Sequence, residues 1–219
     1  MAKASFDYTG EQVLVTGASR GIGYAVALGF ARAGASVTVL SSGSGIHAAA
    51  TRIAQETGRS CAAVECDITD SAAVKASLGA MGRIDVLVPK MQQGGRIVLT
   101  ASIWSRVVVA EFAAYIASKH ANLGFTRVMA KELGPRGIRV NAVCPGWVRT
   151  EAALLSLKKM SLSTGRSEAD LLAEITGAQV LPGLLEPEDM VPLYLFLASD
   201  AARDITGQAM MLDRGEVMA

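Results

Sequence analysis

The chain alternates between short, compact apolar runs and longer stretches whose apolar residues recur every three or four positions. QVLVT (12–16), SVTVL (36–40), CAAVECDI (61–68), RIDVLV (83–88), RIVLTAS (96–102), GIRVNAVC (137–144) and TGQAMMLD (206–213) are short apolar runs bounded by turn-forming or polar residues, and they read as buried strands. Between them, YAVALGFARAG (24–34), AAATRIAQETG (48–58), SAAVKASLGAMG (71–82), AAYIASKHANLGFTRVMAKEL (113–133) and EPEDMVPLYLFLAS (186–199) carry helical spacing. Strand and helix in alternation define an α/β domain with a doubly wound parallel sheet. Residues 1–11 read as a short lead-in. Asp70 is the expected N-cap of the helix that begins at Ser71.

From Glu151 to about Glu186 the pattern weakens. LLSLKKM (154–160) and SEADLLAEITGAQV (167–180) are two faintly amphipathic helical stretches joined by a polar loop. They suit either a lid over a pocket or a helical hairpin packed permanently on the body. The 219 residues otherwise form a single domain, with no internal repeat.

Composition narrows the possible functions. Half of the chain is hydrophobic (51%), 19% is charged, and the formal net charge is +1 without any Lys/Arg-rich block. Neither a nucleic-acid groove nor a membrane surface is expected from that balance. The longest apolar run, VPLYLFLA (191–198), is far shorter than a bilayer span, and no segment resembles a secretory signal. Cys61, Cys66 and Cys144 lack zinc spacing, and His47 and His120 are the only histidines. Free thiols in a reducing cytoplasm are expected, and no metal site.

Three places carry candidate chemistry. The first is the turn after the first strand, TGASRGIG, where Gly17, Gly21 and Gly23 allow close backbone approach and the following helix presents its amides to phosphates. The second is the end of the second strand. A fold preferring NAD places a carboxylate there for the ribose 2′-hydroxyl, whereas this chain has Ser41 and Ser42, with Arg20 in the glycine turn. That combination favours the 2′-phosphate of NADP(H), with NAD(H) the alternative.

The third place is the stretch from Thr100 to Lys119. Tyr115 and Lys119 stand at i and i+4, on one face of a helix, and Ser102 ends a strand thirteen residues earlier. A phenol is a poor base at neutral pH, with an unperturbed pKa of about 10, and a neighbouring ammonium favours its ionised form. A Tyr/Lys pair backed by a hydroxyl suits proton transfer to or from a carbonyl or alcohol oxygen. A packed ring beside a solvated charge would show the same spacing.

TGASRGIG, Asp67, Ser102, Tyr115-x3-Lys119 and VNAVCPGWVRT together resemble the short-chain dehydrogenase/reductase family, particularly its 3-oxoacyl-carrier-protein reductases, over nearly the whole chain. The resemblance implies a Rossmann-type sheet of seven strands, a nicotinamide dinucleotide across their carboxyl ends, and hydride transfer to or from a small carbonyl or alcohol substrate. It implies Tyr115 as acid/base, Lys119 as the group that tunes it and holds the nicotinamide ribose, and Ser102 as the group orienting the substrate oxygen. Gly17, Ser19, Arg20, Gly21, Ile22 and Gly23 would surround the phosphates and adenosine. Asp67 and Ile68 would meet the adenine, and Pro145, Gly146, Val148 and Thr150 the nicotinamide. A homo-oligomer, dimer or tetramer, is implied as well.

The chain departs from the family most sharply after IDVLV. There the family continues with an N-N-A-G segment and a long helix bearing a catalytic asparagine, whereas this chain passes into PKMQQGGRIVL. Parallel neighbouring strands need a crossover of a dozen or so residues, and only seven separate Val88 from Arg96. The expectation is therefore a missing segment between Val88 and Pro89. Without that segment, an active reductase and a catalytically impaired NADP-binding scaffold are both open.

Overall fold

The structure is a computed structural model that describes residues 4–82, 84–88 and 95–218. In chain order its elements are β1 (Gln12–Thr16), α1 (Gly21–Arg32), β2 (Ser36–Ser41), α2 (Gly45–Thr57), β3 (Cys61–Glu65), α3 (Ser71–Ala80) and β4 (Val86–Val88). There follow β5 (Arg96–Thr100), α4 (Ala113–Leu133), β6 (Arg139–Pro145), α5 (Glu151–Thr164), α6 (Glu168–Gly177), α7 (Pro187–Ala198) and β7 (Ala209–Leu212). The seven strands form one parallel sheet in the order β3-β2-β1-β4-β5-β6-β7. This is the doubly wound arrangement the alternation predicts. The chain starts at the centre, winds outward to β3, then returns to β4 and winds outward the other way, leaving a crevice at the carboxyl ends where direction reverses.

Central β1 explains its own position. Val13, Leu14 and Val15 are all buried, as a strand covered on both faces requires. Val13 and Val15 point into the same cluster as Val37, Val39, Val98 and Val143, which α1, α2 and α7 cover with Phe30, Ile53, Met190 and Tyr194. Helices α1 and α7 approach closely at Gly29. A β-carbon there would lie 2.3 Å from Cγ1 of Val191, so only glycine fits without repacking. The lead-in is anchored as well. Tyr8 is buried, its ring meets Phe30 edge-on at 5.0 Å, and its hydroxyl donates to the carbonyl of Leu195.

On the opposite face the described apolar side chains fall into smaller clusters, a thinner cover. Leu14, Leu40 and Cys66 gather under α3, while Ile97 and Val140, then Ala101, Ala142 and Cys144, form two further clusters under α4. Asp70 caps α3 as expected, accepting from the amides of Ala72 and Ala73. Strands β4 and β5 are parallel neighbours with Val86 opposite Arg96. The predicted gap between Val88 and Pro89 falls at a junction outside the described residues, which resume at Gly95.

Candidate active site

Local structure brings the three predicted catalytic side chains to one cavity. Ser102 follows the end of β5 and caps a short 3-10 turn (Ile103–Ser105), its hydroxyl accepting from the Trp104 amide at 3.2 Å. That bond uses an acceptor position and leaves the hydroxyl proton for another partner. Tyr115 and Lys119 lie on the first two turns of α4, where the ammonium stands 5.5 Å from the centre of the phenol ring. Lys119 Nζ also donates to the carbonyl of Thr100 at 3.2 Å. Burial pushes the lysine's pKa below its ordinary value, with the nearby Cys144 thiol acting weakly the other way. From the far face of the sheet, the Tyr194 hydroxyl bonds Thr100 Oγ1, so the last residue of β5 is held from both sides.

The cavity measures about 380 Å³ and is lined by Ser102, Tyr115 and Lys119 together with Ile22, Pro145, Gly146, Val148 and Thr150. The catalytic candidates and the expected nicotinamide contacts thus share one space. Thr150 accepts from the Ala153 amide and caps α5, and Ala152, Ala153 and Ser156 of that helix close one wall. Helix α5 is therefore part of the site's enclosure. Sequence reading missed three aromatic members of the lining, Trp104, Phe112 and Trp147. Trp104 stands two residues after Ser102 and Trp147 directly follows Pro145-Gly146, so adjacency to those candidates was the available signal.

The glycine turn has the geometry of a phosphate cradle. Gly17 takes φ of +66°, and a β-carbon on Gly23 would lie 2.4 Å from the Gly17 carbonyl oxygen, which forces glycine there. The N-terminus of α1 has no side-chain cap at Arg20, so its leading amides are offered to a ligand rather than to a neighbouring side chain. Ser19 and Gly21 lie in the same turn. Arg20 forms an ion pair with Glu151 at 3.0 Å, both side chains being largely exposed. Such a pair is worth about 0–1 kcal/mol and yields readily to a phosphate.

At the end of β2, Ser41 Oγ donates to the carbonyl of Gly43, and Ser42 is exposed beside it. Asp67 accepts from both the amide and the hydroxyl of Thr69, which hold its carboxyl below the usual range, and Ile68 beside it is exposed. None of Ser41, Ser42, Asp67 and Ile68 lines the cavity that holds Ser102, Tyr115 and Lys119. No group of three or more potential metal-ligating side chains occurs among the described residues. All three cysteines are free.

The fold, cradle and Ser/Tyr/Lys constellation together define a dinucleotide-dependent oxidoreductase. The comparisons make this definite: residues 77–216 match the family described as enoyl-(acyl carrier protein) reductase, and residues 11–91 the short chain dehydrogenase family. The chain belongs to the short-chain dehydrogenase/reductase family, whose members move a hydride between a nicotinamide dinucleotide and a carbonyl or secondary alcohol. The oxidoreductase YxjF of Bacillus subtilis is 33% identical over 249 aligned positions, covering 92% of this chain and 96% of that one. That aligned span is longer than the present chain, so the relative carries residues with no counterpart here. A Streptomyces virginiae protein, provisionally described as the ketoacyl reductase of the monensin polyketide synthase, is 33% identical over 82% of this chain and 72% of its own. Among solved structures, a Beutenbergia cavernae protein provisionally described as an NAD(P)-dependent gluconate 5-dehydrogenase, with bound NADP, superimposes with a TM-score of 0.83. It is 34% identical and covers 97% of this chain and 99% of its own.

Proposed function

We propose that the protein is an NADP(H)-dependent carbonyl reductase or secondary alcohol dehydrogenase, with Tyr115 as acid/base, Lys119 beside it and Ser102 as the hydrogen-bond donor to the reacting oxygen. The observation that carries this reading is the single cavity shared by those three side chains and by Pro145, Gly146 and Thr150. NADP(H), when bound, supplies or accepts the hydride. In the reducing direction Ser102 holds the carbonyl oxygen by its hydroxyl proton, and Tyr115 gives its phenolic proton to that oxygen as negative charge builds there. Lys119, fixed on the Thr100 carbonyl, keeps a positive charge near the phenolate that remains. In oxidation the same groups act in reverse.

Gly17, Ser19, Gly21, Ile22 and Gly23 would hold the pyrophosphate side, Asp67 and Ile68 the adenine, and Val148 and Thr150 the carboxamide. The preference for NADP(H) over NAD(H) rests on Arg20, whose partner Glu151 is solvent-exposed, and on hydroxyls instead of a carboxylate at Ser41 and Ser42. Fluorescence titration with both reduced cofactors tests it. NADPH should bind at least tenfold more tightly, about 1.4 kcal/mol, and tighter NADH binding removes the serine and arginine argument.

Helices α5 and α6 serve as a substrate lid in this reading, since α5 forms one wall of the cavity. Among the described residues no helix is long and apolar enough to cross a membrane. A cytoplasmic homo-oligomer is supported by three free thiols and by exposed Phe125 and Val128 on α4, and light scattering would measure its size.

The departure after β4 favours a second reading, a cofactor-binding scaffold without turnover, because the segment that carries the family's asparagine has no counterpart in this sequence. Following NADPH absorbance with a panel of ketones separates the two. Intact mass bears on the cause, since a segment hidden between Val88 and Pro89 makes the protein heavier than 22.8 kDa.

A further inference from the structure

The aromatic part of the cavity lining has a composition that the shared chemistry does not require. Trp104 and Phe112 pack at 4.8 Å between ring centres, and the same indole meets the Tyr115 ring edge-on at 5.8 Å. The three rings make one continuous aromatic surface that ends at the phenol of the proton donor. Ile103, Trp147 and Val148 extend the apolar lining. Among the described lining residues there is no Asp, Glu, Arg, His, Asn or Gln, and Lys119 is the sole cation, already bonded to the Thr100 carbonyl. Few lining hydroxyls remain for a second polar group on a substrate: Thr100 is bonded to Tyr194, Ser102 accepts from the Trp104 amide and keeps its proton for the reacting oxygen, and Thr150 accepts from the Ala153 amide and in this reading serves the carboxamide.

A polyol or sugar acid entering this space would bury hydroxyls or a carboxylate against carbon, with few side-chain partners to replace water. A flat apolar group would instead match the wall in polarity and could lie face-on or edge-on to one of its mutually tilted rings. We propose that the substrate is an uncharged ketone, or the corresponding secondary alcohol, bearing an aromatic or similarly flat apolar substituent beside the reacting carbon, laid against Trp104 and Phe112. This rests on the hydride-transfer reading above and narrows it to a substrate class.

The test has a kinetic arm and a binding arm. With NADPH, kcat/KM for propiophenone should exceed that for 2-butanone by about tenfold or more, and that for fructose by a larger factor. Both tryptophans of the chain, Trp104 and Trp147, line the cavity, so intrinsic emission reports ligand entry without turnover. Titration of the protein with 1-phenylpropan-1-ol should change that emission saturably, and fructose should leave it unchanged. Trp104→Ala retains Trp147 as reporter and should weaken the aryl alcohol about tenfold, with NADPH affinity within a few-fold to show an intact fold; Phe112→Leu serves if the alanine variant does not fold. Equal or better kcat/KM for fructose, or aryl-alcohol affinity indifferent to both substitutions, overturns the inference. Saturable aryl-alcohol binding without reduction of any ketone would sink the hydride-transfer reading and leave the aromatic-ligand assignment standing. Turnover confined to sugars would do the opposite.

Discussion

On the face of the sheet under α1, α2 and α7, apolar side chains from β1, β2, β5 and β6 merge into one cluster, whereas on the face under α3 and α4 those of the described residues form three smaller ones. Helix α1 buries seven consecutive residues, Ala25 to Ala31; α3 buries none, and the 21-residue α4 buries Ile116, Leu123, Thr126 and Ala130. Yet the side with fewer buried contacts carries Tyr115 and Lys119. The difference teaches that the continuous core and the candidate chemistry lie on different faces. The continuous core fixes the strands, and the thinner side offers side chains to a cavity.

Four experiments would break or sharpen that division. The largest effect is expected on the chemical side: Tyr115→Phe should lower turnover by roughly 10²- to 10⁴-fold, with NADPH affinity within a few-fold, because the ring remains and only the proton is lost. Lys119→Ala should reduce both. Turnover undiminished in the phenylalanine variant would remove Tyr115 from the mechanism.

Core truncations come next. Phe30→Ala, in the continuous cluster, should cost about 3–5 kcal/mol in urea unfolding, and Leu123→Ala, on the buried side of α4, about 2 kcal/mol. Equal costs would mean that the thin face is not thin energetically. A paired glycine test is smaller. Gly29→Ala should destabilise by about 1–3 kcal/mol because its β-carbon meets Val191. Gly124→Ala, on α4 with open space around it, should stabilise by about 0.4–1 kcal/mol.

The smallest effect is a pH dependence. Cys61 packs against the continuous cluster, and burial pushes its thiol from 9.0 to about 11. A raised thiol pKa means that the folded state keeps its proton where the unfolded state has lost it. The associated stability is whole below pH 9 and declines as pH rises through about 11. Denaturant midpoints measured from pH 8 to 11 should fall less steeply in Cys61→Ala. An identical slope would show that the thiol is solvated.

Periodicity made most of the fold legible. The strand runs, the glycine turn and the i, i+4 spacing of Tyr115 and Lys119 are local patterns, and each reappears as an element or a shared helix face. What stayed hidden depends on residues far apart in the chain. The Arg20–Glu151 pair joins positions 131 apart, and the Tyr194–Thr100 bond joins positions 94 apart; neither leaves a periodic trace. Tyr8, read as part of a lead-in, is buried because α7 covers it. The aromatic wall was missed for another reason. Trp104 belongs to a short 3-10 turn with no repeat of its own, and its role emerges only when α4 brings Phe112 and Tyr115 to it.

The contact between α1 and α7 also bears on how the protein is made. Tyr8 reaches the Leu195 carbonyl across 187 positions, and Gly29 fits against Val191. The first strand-helix unit therefore completes its core only after the last long helix has left the ribosome. Until then the nascent chain exposes the apolar side of α1, including Phe30, to whatever lies near the tunnel exit. A fold of this kind closes late, from its two ends together, and a ribosome stalled before residue 187 would hold an open sheet in need of a chaperone.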